Sequence, residues 1–393
     1  MTPAVSETLT GQMQDSPEEN VSIWRRMLRF SLRFLCVMVV LALLAEGASR
    51  IRHWTRHGVF WGTDQTYTTD PKSNLRIPIP NGSFGPVHIN SYGFRSPEIP
   101  LEKPASRLRL AFLGGSTTYC AEVSSDKMTW PYLVVADIRK RFPGLDIDFI
   151  NGGVPGYTTR TLKPYLEKRI EQFRPDVIVI YEASNDLSVN SATLAREQGV
   201  TNRTDEQSMG WLSSRSLLLY LVKKNLAVMR QQYPLLGGGS QRKIFIDQAR
   251  LDAMYRRDLT ALVEASKQVA DLVVTVTFAP RLRTNQSPTE LRAAAITSLY
   301  YMPYMTPEAI LEGFQHYNEI IRSVAVEENT LVVGNEDSIP ADALHYTDSA
   351  HFTDAGSTLM AKRVADALLS SPLFVDLVKE HTPVATVAAS PGQ

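Results

Sequence analysis

The chain has 393 residues, of which 44% are apolar and 21% are charged, which is the composition of an ordinary soluble globular protein. Lysine plus arginine equals aspartate plus glutamate at 41 each, so the net charge does not indicate a nucleic-acid partner. No Cys/His cluster has the spacing of metal ligands, no phosphate-binding or dinucleotide fingerprint is present, and the two cysteines suggest no structural disulfide, so the sequence predicts no metal and no cofactor.

The N-terminal region contains a single apolar run. Residues 1–29 are predicted to be a disordered, cytoplasmic N-terminus, and residues 30–49 supply the roughly 20 residues that a transmembrane helix needs. Arg33 and Glu46 lie near the two ends of this run, where a charged side chain can reach the interface. We predict a single-pass anchor in the cell membrane; a cleaved signal peptide and a buried helix of a soluble protein are the alternatives. Arginines before the run favour a periplasmic main domain, but arginines after it reduce that bias.

The rest of the chain is predicted to form one α/β domain. Residues 50–104, rich in proline, glycine and asparagine, indicate an extended stalk and lead-in. From 105 to 372 short apolar strands alternate with helices, which predicts a three-layer α/β/α domain with a five-stranded, mainly parallel sheet. Insertions at 188–250 and 281–305 interrupt the alternation, and residues 373–393 are expected to be a flexible tail. The predicted strands are 108–113, 147–150, 176–181, 272–278 and 330–333.

Polar or glycine-bearing turns follow the predicted strands at equivalent places. They carry Ser116, Gly156, Asn185, and Asp348 with His351. Because the carboxyl ends of parallel strands meet at one edge of a sheet, these groups are expected to gather there. They are the parts of an acyl-transfer site. Ser116 would be the nucleophile, His351 its base and Asp348 the carboxylate that orients the imidazole. The N–H groups of Ser116 and Gly156 and the side-chain amide of Asn185 would form the oxyanion hole.

Each of these groups also has a structural interpretation. In the structural interpretation, Ser116 does nothing more than cap the following helix. An Asn-Asp pair after a strand is likewise common turn chemistry. His345 shares the loop of His351 and is its closest rival. Asp354 is the rival carboxylate, but the sequence favours it as the cap of the last helix. The combination of the turns in this order, rather than any single member, predicts catalysis.

The same residues resemble those of a known family. Over about residues 105–372 the chain resembles the SGNH (GDSL-like) hydrolases, and the lead-in at 90–95 looks like that of membrane-attached bacterial members. The resemblance implies an SGNH, flavodoxin-like fold and the site residues named above. Gly115 stands where many members have Asp, and Ala183 and Ser184 stand where many have Gly-Gly, so substrate preference does not carry over. The matching blocks lie at 114–117, 151–156, 184–186 and 348–351.

The expected function is a serine esterase that hydrolyses acyl esters, acetyl in the first place, of carbohydrate or lipid substrates through an acyl-serine intermediate. One alternative is an O-acyltransferase that modifies an envelope polysaccharide with the same site, which would bring polysaccharide-biosynthesis partners. The other is a non-catalytic binding or assembly protein on the same fold. The predicted partners are therefore an acylated carbohydrate or lipid and, through the N-terminal helix, a membrane.

Overall fold

The structure, a computed structural model, describes residues 17–57, 66–200, 215–232 and 242–382. It begins with helix α1, Pro17–His57. Among the described residues this is the one helix that is long and apolar enough to cross a membrane, over Arg25–Thr55, and none of its apolar window is buried inside the molecule. The helix is longer than the predicted 30–49 and begins inside the stretch predicted to be disordered. No glycine or proline stands between Glu18 and Arg29, so a helix formed by the apolar run propagates into them. The predicted disorder of 1–16 lies outside the described residues.

The lead-in forms two small antiparallel hairpins on the surface of the domain. Strands β1 (Tyr67–Thr69) and β2 (Arg76–Pro78) pair with each other, as do β3 (Ser83–Phe84) and β4 (Val87–His88). The second hairpin packs on Tyr119, a residue of the main domain. The lead-in thus lies against the domain that follows it.

A five-stranded parallel sheet forms the centre of the molecule. Its strands lie in the order β6-β5-β7-β8-β9, and every neighbouring pair is parallel. All residues of β5, β7 and β8 are buried, as expected for strands covered on both faces. The predicted three-layer α/β/α fold is confirmed. In chain order the strands are β5 Leu108–Gly114, β6 Ile147–Gly153, β7 Val177–Tyr181, β8 Leu272–Val276 and β9 Leu331–Val333.

The order of these strands determines where a ligand can bind. The chain starts at β5, adds β6 on one side and then returns to add β7 on the other, which is the flavodoxin-like order. The side on which the chain adds strands therefore changes at β5, although all five strands remain parallel. In such sheets a crevice opens beyond the carboxyl ends of the two strands whose connections leave in opposite directions, here β5 and β7, which end in Gly114 and Tyr181.

Helices cover both faces of the sheet and are present in the described parts of the two insertions. The first insertion, predicted as 188–250, is reduced by the helices on its two sides, because α5 continues to Glu197 and α7 begins at Gln248. The second insertion contains the short helices α8 and α9. The helices are α2 Ser116–Tyr119, α3 Trp130–Arg141, α4 Thr159–Tyr165, α5 Ser184–Glu197, α6 Leu217–Gln232, α7 Gln248–Lys267, α8 Pro288–Ala294, α9 Ile296–Tyr301, α10 Pro307–Glu327, α11 Asp354–Ser370 and α12 Pro372–His381.

The predicted flexible tail is wrong for its first part. Residues Pro372–His381 form α12, whose start is capped by the Ser371 side chain and carries a proline in its first turn. Phe374 and Val378, four residues apart, are both buried and fix this helix to the domain. Residues 383–393 lie outside the described residues.

Candidate active site

Ser116 lies at the carboxyl edge of the sheet because two glycines let the chain turn there. Strand β5 ends at Gly114, and Ser116 opens helix α2 two residues later. A Cβ atom on Gly114 would overlap the carbonyl oxygen of Tyr181 on β7, and one on Gly115 would overlap the carboxylate of Glu182. Only glycine allows this close approach, which holds Ser116 beside the end of β7.

Three of the predicted site residues form a continuous hydrogen-bonded chain. His351 Nε2 lies 2.8 Å from Ser116 Oγ, and His351 Nδ1 lies 2.8 Å from Asp348 Oδ2. The other oxygen, Asp348 Oδ1, accepts the backbone N–H groups of Ala350 and His351 at 2.9 Å each. These bonds hold the carboxylate and, through it, the imidazole ring in one orientation. The arrangement is that of a nucleophile, a base and a group that orients the base.

The two rivals of these residues have other partners. His345 Nδ1 lies 2.7 Å from Asp342 Oδ1, within its own turn. Asp354 accepts the backbone N–H of Ser124 at 2.8 Å. It is not the cap of α11, as the sequence suggested, because the Thr353 side chain accepts the Gly356 N–H in that role. Threonine is itself a good cap and stands one residue earlier, where the backbone is still extended.

The electrostatic surroundings of His351 favour its protonated form. Burial alone would lower the pKa of this imidazole, but the hydrogen bond to Asp348 and the negative charges of Glu122, Asp348 and Glu182 outweigh it and raise the pKa to about 9. Burial acts to raise the pKa of Asp348, but its bonds to His351 and to two backbone N–H groups keep that pKa below its ordinary value. Asp348 therefore stays ionised beside the imidazole.

The remaining predicted groups, Gly156 and Asn185, line the same pocket as Ser116 and His351. Gly156 has a φ of 83°, a conformation that suits glycine. Asn185 Nδ2 donates to the carbonyl of Tyr157 at 2.9 Å and to Glu182 Oε2 at 3.3 Å. Both hydrogens of this amide are thus engaged by the protein itself. The longer bond, to Glu182, is the one that an oxyanion could replace.

The pocket over Ser116 has a volume of about 380 Å³. Segments outside the predicted strand-end turns supply part of its wall, namely Tyr67 from β1, Glu122 from the loop after α2, and Tyr301 from α9. Sequence reasoning did not find these three residues, because no pattern linked the lead-in or the second insertion to the site. Glu122 is exposed at the rim, but the surrounding protein raises the pKa of its carboxyl by desolvation.

Glu182 is the buried residue that sequence reasoning missed. Its carboxylate accepts the Asn185 backbone N–H at 2.8 Å as well as the Asn185 side-chain amide. Burial and the nearby charge of Asp186 raise the pKa of Glu182. Asp186 in turn accepts the N–H and hydroxyl of Thr159 at the start of α4, and burial raises its pKa too. The signal in the sequence was the absence of a side chain at Gly115, which leaves the room that Glu182 fills.

Comparison with known proteins identifies the family. The chain matches the model of the GDSL-like lipase/acylhydrolase family over residues 112–359, which is more than half of its length. The chain belongs to this family. The predicted SGNH (GDSL-like) membership is confirmed, and the protein is a hydrolase of ester bonds. No curated protein matches the chain.

Solved structures of esterases and hydrolases align with this GDSL-like chain at low similarity. Axe2, an acetylxylan esterase from Geobacillus stearothermophilus, is 18% identical, with 68% of this chain and 95% of that chain covered and a TM-score of 0.40. LAE5, an alpha/beta hydrolase enzyme from the metagenome of Lake Arreo in Spain, is 16% identical, with coverage of 66% and 94% and a TM-score of 0.39. Likeness at this level says nothing about the substrate of the present protein.

Proposed function

We propose that this GDSL-like hydrolase is a serine esterase that removes acyl groups, acetyl in the first place, from a carbohydrate or lipid. The observation that carries the proposal is the chain of hydrogen bonds from Ser116 through His351 to Asp348, with both side-chain contacts of the imidazole at 2.8 Å. Such a chain at the mouth of a crevice beyond parallel strands is what nucleophilic acyl transfer requires.

The reaction follows from the roles of these groups. Ser116 Oγ attacks the ester carbonyl while His351 Nε2 takes its proton, and the tetrahedral oxyanion is held by the Ser116 and Gly156 N–H groups and the Asn185 amide. His351 then gives the proton to the departing alcohol, which leaves an acyl group on Ser116. A water molecule, deprotonated by His351, attacks this acyl-serine, and the collapse of the second intermediate releases the acid and restores the serine hydroxyl.

The pocket supports a small acyl group attached to a larger alcohol. Its volume of about 380 Å³ lies at the lower end of the range for small-molecule sites. Tyr301, which lines this pocket, keeps 55% of its surface exposed. An exposed aromatic ring at a pocket mouth offers an apolar face and a polar tip to a sugar. This favours a carbohydrate as the alcohol part of the ester.

A second candidate function is transfer of the acyl group to a sugar hydroxyl of an envelope polysaccharide. The acyl-serine intermediate is the same, and a sugar takes the place of water in the second half of the reaction. The exposed ring of Tyr301 favours this alternative too, because an acceptor sugar would need such a surface beside Ser116. Water and acceptor then compete for one intermediate.

We further propose that α1 is a single-pass anchor in the cell membrane and that the α/β domain lies on its periplasmic side. The exposure of the apolar window of α1 supports the anchor, since a core helix of a soluble protein would be covered. An envelope polymer carrying acyl esters would then be within reach of the domain.

Hydrolysis of p-nitrophenyl acetate by the purified full-length protein in detergent tests the esterase. Wild-type protein should release nitrophenol at a rate that Ser116→Ala lowers by several powers of ten. Ser83→Ala, which changes an exposed serine outside the pocket, is the matched control and should keep the wild-type rate. Equal rates for wild type and Ser116→Ala would refute the proposal. Acylated oligosaccharide formed from an acyl donor, followed by mass spectrometry, would show transfer.

A further inference from the structure

Helix α6, Leu217–Gln232, carries a row of exposed apolar side chains that the mechanism does not use. Leu219, Val222, Leu226 and Met229 are 40%, 53%, 42% and 44% exposed. Their spacing of three and four residues places them on one side of the helix. We call these four residues the apolar stripe. A contiguous row of this kind on a soluble surface marks a place where something else binds.

The start of α6 is fixed to the anchor helix α1 by polar contacts. The Glu46 carboxylate accepts the backbone N–H groups of Leu217 at 3.0 Å and Leu218 at 2.8 Å, and the Ser216 hydroxyl at 2.8 Å. It caps the N-terminus of α6, where a negative charge is favourable. Arg50, four residues further along α1, donates to the carbonyl of Arg215 at 2.8 Å. Two charged residues of α1 therefore determine where α6 begins.

This attachment point coincides with the end of the apolar run of α1. The large apolar side chains of α1 between 30 and 44 are all exposed, and Glu46 and Arg50 come directly after them. If α1 crosses a bilayer, the level of Glu46 is therefore the level at which the hydrocarbon gives way to headgroups. The first turn of α6 lies at that level.

We propose that the apolar stripe of α6 lies on the bilayer surface, with its side chains at the boundary between headgroups and acyl chains. This rests on α1 being the membrane anchor and not on the catalytic role of Ser116. Amphipathic helices that contain basic residues bind membranes in this way, helped by anionic lipids. The sequence of α6 contains Lys223, Lys224 and Arg230 and no acidic residue.

The contact of α6 with the rest of the domain gives this placement a consequence for the site. Helix α6 packs against α9, and α9 supplies Thr297, Ser298 and Tyr301 to the pocket over Ser116. The bilayer, α6 and the pocket wall are therefore neighbours in that order. The pocket is held close to the membrane surface rather than at the end of a free stalk.

Fluorescence quenching by lipid-attached nitroxide tests the placement in the full chain reconstituted into vesicles of phosphatidylethanolamine and phosphatidylglycerol. Cys36→Ser removes the exposed native cysteine, and Cys120 is buried. A fluorophore is then attached to Leu226→Cys in the stripe or, as the control, to Glu319→Cys, an exposed position on α10. Val222→Cys gives a second stripe position if Leu226→Cys does not fold.

We expect nitroxide at the headgroup–acyl boundary to quench the fluorophore at 226 or 222 severalfold more than at the control position 319. Equal quenching at stripe and control positions would overturn the proposal. Weak quenching at 226, together with air-oxidised disulfide cross-linking between two unlabelled Leu226→Cys chains, would also overturn it and assign the stripe to a second copy. Weak quenching without cross-linking would also overturn it, because the stripe would then be covered by other residues of the chain or exposed to solvent away from the bilayer.

Discussion

The Glu182 carboxylate occupies the space beside Ser116 that a side chain at position 115 would otherwise fill. A side chain at 115 would overlap both Glu182 Oε2 and Asn185 Nδ2, so an aspartate there, as in many family members, would displace both of these groups from their present positions. Glu182 instead reaches the same region from the end of β7 and holds the backbone N–H and the side-chain amide of Asn185. We regard Glu182 as a positioning residue, since it acts on the oxyanion through Asn185.

Replacing Glu182 by glutamine should therefore lower kcat more than it changes KM. A glutamine offers one acceptor oxygen where Glu182 offers two, so the contact to the Asn185 backbone N–H is weakened and the start of α5, which carries the Asn185 amide, is held less firmly. A misplacement of the Asn185 amide by about 1 Å would lower the rate by up to roughly 100-fold. The melting temperature should not fall, because burial raises the pKa of Glu182, so folding at neutral pH must either bind a proton there or bury a charge, and glutamine avoids that cost. Steady-state kinetics and thermal melts check this.

The matched control is Glu319→Gln, which removes an exposed carboxylate from α10 and should leave kcat and KM unchanged. A fall in kcat accompanied by a comparable loss of thermal stability would reduce Glu182 to a structural role. An unchanged kcat would show that Glu182 does not position Asn185 for the reaction.

Glu122 should control the pH dependence of the reaction. His351 must be neutral to accept the proton of Ser116, and its pKa of about 9 means that kcat/KM rises as the pH increases through that value. The negative charge of Glu122 is one of the causes that raise this pKa. In Glu122→Gln the imidazole loses its proton at a lower pH, so the acidic limb of the kcat/KM profile should move to lower pH. Glu319→Gln should leave the limb in place, and a limb that stays or moves upward in Glu122→Gln would disprove the effect.

The residues of the site differ in how far the sequence could foresee them. Four of the site residues each follow an apolar strand: Ser116, Asn185, Asp348 and His351. The carboxyl ends of parallel strands lie at one edge of the sheet, which was enough to predict that these residues come together. Glu122, Glu182 and the tyrosines could not be found this way. Their contribution depends on side-chain direction and on contacts between distant segments, which no local spacing records.

At the level of elements, α12 shows how packing decides what composition leaves open. Its sequence lies just before an alanine- and proline-rich segment, and composition predicts a flexible tail over 373–393. Ser371 caps the helix, and α12 packs against α11 and β5. Strand β6 shows the same effect, because Asn151, Gly152 and Gly153 pair with β5 although their composition predicts a loop.

Truncation of the buried side chain of α12 should destabilise the domain. Phe374 is fully buried, and Phe374→Ala should lower the free energy of unfolding by about 3–5 kcal/mol through lost burial and the cavity left behind. The adjacent Leu373 is 63% exposed, and Leu373→Ala should change it by about 0.5 kcal/mol or less. Denaturant unfolding of both variants in detergent measures the difference. Two equal and small effects would mean that α12 does not belong to the cooperative core.

At the scale of the whole molecule, the alternation of strands and helices was sufficient to predict the three-layer fold. Continuous apolar runs predicted buried parallel strands, and the handedness of their connections leaves few possible orders. The contact between α6 and α1 was beyond prediction, because it joins Glu46 to residues about 170 positions later. Nothing in the sequence of the first insertion, 188–250, indicates that contact.

The topology of the full chain gives a prediction of its own. With α1 as anchor and the domain outside, alkaline phosphatase fused after residue 393 should be active in intact bacterial cells, and a fluorescent protein that folds only in the cytoplasm should be dark at the same position. The same two fusions placed after residue 22, before the apolar run, should show the reverse and serve as controls. A silent phosphatase with a bright fluorescent protein at the C-terminus would place the domain in the cytoplasm.

The most direct test of the central claim is covalent labelling of the folded full-length protein by a fluorophosphonate, with the site located by peptide mass spectrometry. Such a probe reacts with a serine only where a base and an oxyanion hole activate it. We predict a single adduct on Ser116, unchanged in Ser184→Ala, which alters another serine of the same pocket, and absent in Ser116→Ala and strongly slowed in His351→Ala. No adduct on Ser116 in protein that melts cooperatively, or labelling that persists in Ser116→Ala, would contradict the account and favour a non-catalytic binding protein on this fold.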